Sequence, residues 1–506
     1  MLIRNTITLY ALLFTVLFGV KAEEVIIRGE APDYAGKELV AFSYLDHFSK
    51  SLKIEGICII DSLGNFELSF QNDKIQMINL RCDFVNAHIY VQPGTNYSVI
   101  FPPLHPGINK SVNNTAKVEL FFNNLDEKDI NSKLIDFNQR YAQFYKDNYD
   151  LLVRLSQSMG SRVSIDSDST QSSIKSVSNI RIYEEKVKVF ARDLDQLYND
   201  VSKDFFFVYR KSVLADMLRQ TIDLRQIYTS YIEPYEIDLH NPEQINLLQT
   251  FYDDYFQEFS SKFEHADIWG TLNNESNLET VLDTLQKDDF LKNITISEIV
   301  LAYSLYSEWD KNSIPQDRII ALLNDLEKVG SSSRARYLAQ HLYSKLTRNM
   351  IGSEAYNFLL SDNSGQKHSL SDYRGKPVLL EFWATWCKSC LREMSVTNTL
   401  AEKYKNDFHF LSISIDENIN SMKKHIDANP GLEQILLHIS QDKLLMDQYQ
   451  INSLPSYVLI DENGNLIDPN AALPSLVLEA KIHKIVSDRK KSIPDNFDPA
   501  NKMKKK

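Results

Sequence analysis

The chain has 506 residues, 43% of them hydrophobic and 24% charged, and a formal net charge of −13. That length implies several domains, and the apolar share is ordinary for globular cores. The acidic balance favours solubility and argues against nucleic acid as a partner. Cysteines number only four, and two of them fall in one short motif.

Residues 1–22 read as a signal peptide. Arg4 supplies the positive start, Ile7 to Val20 an apolar run, and Val20-Lys21-Ala22 a small-residue cleavage site. The competing reading is an uncleaved membrane anchor, although the run is short for one. No cysteine lies near the cleavage point, which argues against a lipoprotein. The mature protein is therefore expected in an oxidising compartment, with no membrane span after cleavage.

Residues 23–110 are strand-like. Val25–Ile27, Ile57–Ile60, Phe66–Phe70 and Ile78–Cys82 are short β-branched or alternating runs, separated by Ser62–Asn65 and Gln92–Thr95 as turn signals. The pattern predicts a small all-β domain, an antiparallel sandwich. Cys58 and Cys82 each fall on an expected strand, and either a structural disulfide or two buried thiols fits.

Residues 115–349 are helix-rich. Leu134, Phe137, Tyr141, Phe144, Leu151 and Leu155 form one near-heptad stripe, and Tyr183, Val187, Phe190, Leu194, Leu197 and Val201 form another. Two such helices would pack as an antiparallel pair. The Ser-rich stretch 156–178 between them is expected to be a loop. Further helices are expected over Gln249–Lys262, Ser297–Trp309, Gln316–Val329 and Arg334–Leu346. The aromatic stripes read as core, with a partner-binding surface as the competing reading.

Residues 351–487 form an α/β domain, and 488–506 a polar, basic tail expected to be disordered. Its first strand is expected at Tyr356–Leu360 and its second at His368–Leu370. The apolar run Val378–Trp383 is long enough for a strand buried on both faces, and it leads to Cys387-Lys388-Ser389-Cys390. An amphipathic helix follows, with Leu391, Met394, Leu400 and Tyr404 among its apolar residues. A helix N-terminus carries unpaired N–H groups and partial positive charge, both of which favour a thiolate. Cys387 is then the exposed, attacking sulfur and Cys390, one turn on, the resolving one. Half a zinc site is the competing reading, but no second Cys pair or nearby His pair completes it. Phe408–Ile415, Ile419–Ala428, Ile435–Ile439, Asp442–Tyr449, Tyr457–Ile460 and Leu476–Val486 continue the alternation of strand and helix.

The stretch Gly375–Cys390 resembles the thioredoxin superfamily and, within it, the TlpA/ResA-like periplasmic branch, nearly position for position through Phe382-Trp-Ala-Thr-Trp-Cys387. The strands Tyr356–Leu360 and His368–Leu370 resemble the branch's N-terminal hairpin, and Leu370–Lys376 the residues that follow it. The β-rich segment resembles a module often placed before such domains in Gram-negative periplasmic proteins. The resemblance implies a thioredoxin-like fold and a thiol-disulfide oxidoreductase needing no metal or other cofactor, only the Cys387–Cys390 couple. Pro455 matches the family's cis-proline, opposite the cysteines, and Leu454 and Trp386 are then the residues that touch substrate. Glu381 aligns with the buried acid of thioredoxins, where a raised pKa would let it take the Cys390 proton. Glu393 matches an acid near the cysteines of the ResA-like subgroup. The implied partners are disulfide-containing exported proteins and a membrane thiol donor, with a role in cytochrome c maturation. Two departures matter. Lys388-Ser389 stands where many members have a proline, and Ser395 replaces an expected helix proline. A peroxiredoxin-type peroxidase is disfavoured, because Thr385 is two residues before Cys387 where that chemistry wants three. A third reading is a partner-binding protein that uses the thioredoxin fold as a docking platform.

Overall fold

The computed structural model describes residues 22–82, 85–104, 116–123, 125–160, 169–199, 204–219, 221–274, 277–416, 418–439 and 444–492. The expected signal peptide up to residue 21 and the tail from residue 493 lie outside them, as does Val201 of the second helical stripe. The chain divides into two compact units, Met1–Tyr343 and Ser344–Lys506.

The first unit opens with strands β1 (Glu23–Glu30), β2 (Glu38–Tyr44), β3 (Leu52–Ile59), β4 (Asn65–Asn72), β5 (Gln76–Cys82), β6 (Val85–Val91), β7 (Asn96–Ile100), β8 (Ala116–Lys117) and β9 (Phe121–Phe122). They build two sheets, ordered β4-β1-β7-β9 and β3-β2-β5-β6-β8. Strict alternation along β4 turns Phe66, Leu68 and Phe70 inward. They join Val25, Ile27, Ile78, Leu80 and Ile89 in one core between the sheets. The sandwich is mixed, and not wholly antiparallel as expected. β1 pairs antiparallel with β4 but parallel with β7, because the chain crosses through the second sheet before returning beside β1.

Cys58 and Cys82 are thiols in this sandwich. Leu39 on β2 pairs with Cys58, and the β2–β5 register that pairs Val40 with Arg81 puts Cys82 on Leu39's other side. Two strand spacings separate the pair by about 9.6 Å, beyond the reach of a disulfide. Burial pushes the Cys58 thiol up to about 11.

The same unit continues as helices, many of them opened by an Asp or Asn side chain that accepts from a first-turn amide, as at Asp129, Asp204, Asn241, Asn277 and Asn293. Leu134, Phe137 and Phe144 are buried on Ile130–Asp147, as is Leu155 on Tyr149–Gly160. Tyr183, Val187 and Leu194 are buried on Ser169–Tyr198, whereas Leu197 near its end is exposed. Phe144 and Phe190 pack ring to ring at 4.9 Å.

Most of the expected Ser-rich loop 156–178 is helix, since one helix runs to Gly160 and the next starts at Ser169. Serine has middling helix propensity, and a helix already nucleated propagates through it. The expected helix Gln249–Lys262 is two, Pro242–Phe251 and Tyr255–Lys262, broken where Asp254 takes a left-handed conformation with φ 48°. Gln316–Val329 forms as expected, Ile294–Ser307 and Ser333–Thr347 nearly so, and Phe205–Leu218 is a helix the periodicity did not reveal. His341 Nδ1 lies 2.9 Å from the buried Asp46 carboxylate, and Asn131 bonds the backbone of Tyr90. These bonds tie the helices to the sandwich within one unit.

The second unit holds β10 (Leu359–Asp362), β11 (Lys367–Ser369), β12 (Val378–Trp383), β13 (His409–Ser414), β14 (Ile435–His438), β15 (Ser456–Ile460) and β16 (Leu466–Ala471), in the order β11-β10-β14-β13-β12-β15-β16. The first strand starts later than Tyr356. β12, β13 and β14 are parallel, and β15 runs antiparallel to β12. Every residue of β12 is buried. Leu380, Leu411, Ile413, Val458 and Ile460 face one core, while Leu379, Phe410 and Leu459 face the other. This is a thioredoxin-like α/β fold. The last helix, Glu479–Ser492, outruns the expected end at Val486. Among the described residues no helix is long and apolar enough to cross a membrane.

β1 is squeezed between β4 and β7 at Gly29, where a Cβ would lie 2.4 Å from the Phe66 ring and 2.6 Å from the Val99 carbonyl oxygen. The ring can move but the backbone oxygen cannot. Gly29→Ala is expected to cost about 1–3 kcal/mol, read as a lower urea midpoint. An unchanged midpoint would show that the sandwich yields at this point.

Candidate active site

β12 ends at Trp383, and the helix Lys388–Tyr404 begins five residues later with Cys387 as its N-cap. The cap is unusual in kind, because the acceptor is sulfur. The Cys390 amide donates to Cys387 Sγ at 3.2 Å, and Ser389 Oγ lies 3.3 Å from the same atom. Cys387 and Cys390 are joined as a disulfide, their Cα atoms 5.2 Å apart. The helix runs unbroken through Ser395.

Cys387 was expected to be exposed, yet only 7% of its surface is open, and none of Cys390's. Both cysteines belong to the core that holds Phe382 and Met394. Trp386 beside it is 59% exposed.

The Leu454–Pro455 peptide is cis. Ser456, next along, pairs with Phe382 of β12, so the register brings Pro455 opposite Trp383 at the sheet end from which the cysteine loop springs. Leu454 packs, partly buried, on the core containing both cysteines.

Glu381 is 1% exposed on β12. Three hydroxyls from three elements donate to it: Ser412 on β13 at 2.5 Å, Tyr457 on β15 at 2.8 Å and Thr397 on the active-site helix at 3.1 Å. Burial pushes its pKa up, the hydroxyls pull it back, and the charge of Glu393 adds to the rise. Glu393 itself accepts from the Ser475 amide at 2.9 Å and from Ser475 Oγ at 2.7 Å. Among the described residues, neither acid has a hydrogen bond to a cysteine.

One acid escaped the sequence reading. Asp416, 4% exposed and just beyond β13, accepts from Thr385 and Ser414. Its signal was the polar residue ending the apolar run Phe408–Ile415. Among the described residues no group of three or more His, Cys, Asp or Glu side chains is placed to hold a metal ion.

Residues 351–468 match the family model described as AhpC/TSA family. Over 127 residues the chain is 39% identical to the thiol-disulfide oxidoreductase ResA of Geobacillus kaustophilus, covering 25% of this chain and 72% of the relative. The chain belongs to the ResA family of thiol-disulfide oxidoreductases. The ResA of Geobacillus thermodenitrificans is 36% identical over 150 residues, 29% of this chain and 82% of its own. Among solved structures, the thioredoxin domain of a thiol-disulfide oxidoreductase from Bacteroides vulgatus is 25% identical, with 27% of this chain and 98% of that one covered and a TM-score of 0.24. Like its ResA relatives, the chain is a thiol-disulfide oxidoreductase.

The raised pKa of Glu381 has a consequence for stability. The folded chain holds this proton more tightly than the unfolded chain does. The stabilisation is complete below the ordinary carboxyl value of about 4.3 and is lost as pH rises through the folded value. Glu381→Gln escapes that loss. Its urea midpoint should gain on the wild type's as pH rises from about 4 to about 8, and a constant difference would contradict the raised pKa.

Proposed function

We propose that the protein exchanges disulfides with exported client proteins in the periplasm, with Cys387 attacking and Cys390 resolving. The disulfide capping a helix beside the cis-proline loop carries this reading. In the reducing direction, the Cys387 thiolate attacks one client sulfur, forming a mixed disulfide and expelling the other client sulfur as a thiolate. Cys390, deprotonated, then attacks Cys387 Sγ. The client leaves as a dithiol and the enzyme as the Cys387–Cys390 disulfide. A membrane thiol donor supplies the two electrons that restore the dithiol. No metal or organic cofactor takes part.

Glu381 receives the Cys390 proton, directly or through a water, and a raised pKa suits that task. Glu393, one turn beyond Cys390, supplies negative charge that strengthens Glu381's hold on the proton. Pro455, Leu454 and Trp386 touch the client. A role in cytochrome c maturation follows if the client is a cytochrome's haem-binding cysteine pair. Export by the N-terminal segment delivers the enzyme to that compartment.

Insulin reduction by the wild-type chain and by Cys387→Ser tests the reading. The variant should fall to the uncatalysed rate, while Cys390→Ser should accumulate a mixed disulfide visible on non-reducing gels. Equal activity of wild type and Cys387→Ser would end it. A couple potential near about −270 mV would mark a reductase, and one near about −180 mV an isomerase.

A further inference from the structure

Cys387 is reached from β12 by a turn that closes where its amide donates to the Ala384 carbonyl at 3.1 Å. The central residues of such a turn are soft unless something outside holds them. Thr385 is held twice. Its amide donates to both Asp416 oxygens at 3.2 and 3.1 Å, and its Oγ1 donates to Oδ1 at 2.7 Å. Asp416 is itself fixed. Ser414 Oγ donates to its Oδ2 at 2.7 Å, and the Ile415 amide donates to the Trp383 carbonyl at 2.8 Å, extending the β12–β13 ladder by one bond. A buried carboxylate on one strand thus grips the turn that carries the nucleophile of the next.

We propose that Asp416 is a positioning residue of the exchange reaction, fixing through Thr385 where the Cys387 sulfur stands and holding a negative charge at the turn two residues before it. This rests on the reading of Cys387 as the attacking sulfur. Attack on a disulfide demands that three sulfurs line up, so a small displacement is costly. The charge has a separate effect, because a carboxylate near a thiol opposes its ionisation. Position passes through Thr385, and charge resides on Asp416. Other ionisable groups on the elements around the pair include Lys388, Arg392 and Glu393 on the active-site helix, Glu381 on β12, and Lys423, Lys424, His425 and Asp427 on the helix Ile419–Ala428. His425 faces Asp416 and is held below its ordinary pKa by burial.

Two substitutions separate these effects in the full-length reduced chain. Thr385→Val removes the hydroxyl and keeps the charge. It should lower the insulin-exchange rate about tenfold and leave the pH midpoint of Cys387 alkylation, measured with iodoacetamide in a Cys390→Ser background, where it was. Thr385→Ser restores the hydroxyl and should restore the rate to within about twofold of wild type. Asp416→Asn should lower the rate and also move that midpoint down by about half a pH unit or more. The proposal is overturned if Thr385→Val exchanges as fast as wild type, if Thr385→Ser fares no better than Thr385→Val, or if Asp416→Asn leaves the midpoint in place. If Asp416→Asn does not fold, the valine and serine pair still decides the positional claim. Failure of the underlying reading looks different, since Cys387→Ser would then match wild type in the same insulin assay.

Discussion

A strand buried on both faces cannot end just anywhere. β12 buries six consecutive side chains, five of them in two apolar cores, and its backbone is paired on both edges, with β13 and with β15. Once the ladder is complete, the chain must turn out of the sheet where the neighbouring strands also stop. β13 stops at Ser414, directly across from Trp383, and β15 begins at Ser456, across from Phe382. Cysteine turn, proline loop and Asp416 therefore meet at one sheet end because the burial of β12 requires it. The Cys387 sulfur owes its place to the burial of all six residues of β12.

That dependence explains what could be read from the chain beforehand. The run Val378–Trp383 is too apolar for a half-exposed strand, and a Cys-x-x-Cys after such a run has to sit where strand becomes helix. The sequence of strands and helices around it was legible for the same reason, since each depends on local pattern or on the strand next door, whereas Pro455 and Glu381 were singled out only through the family resemblance. Asp416 was not. Its partner Thr385 lies 31 residues away, and nothing in the spacing of either predicts that one grips the other. The direction of the Glu393 carboxylate was hidden too, because Ser475 comes from 82 residues further on.

In the first unit the failures have the same origin. The pairing of β1 with β7 and the separation of Cys58 from Cys82 are properties of strand order, and strand order is decided by long-range packing. A cysteine on each of two strands is compatible with a disulfide until a third strand is found between them. The break at Asp254 is local but costs little for an aspartate, so the apolar periodicity passes over it without a mark. The serine-rich stretch misled in the opposite sense. Its composition suggests a loop, yet a long helix needs only one well-packed half, here the half bearing Tyr183, Val187 and Leu194, to carry a polar half along.

The two buried acids of the second unit differ in a way that bears on their chemistry. All three donors to Glu381 are hydroxyls. A hydroxyl can rotate and accept, so the site can bond the carboxylate and, after rearrangement, the neutral acid as well. A group that must take up and release a proton needs such surroundings. Asp416 faces a backbone amide, which only donates, along with its hydroxyls. The amide ties Asp416 to the backbone of the turn as well as to its hydroxyl. At near-equal burial the two carboxyls thus differ in the donors they face, hydroxyls alone at Glu381 and hydroxyls with a backbone amide at Asp416.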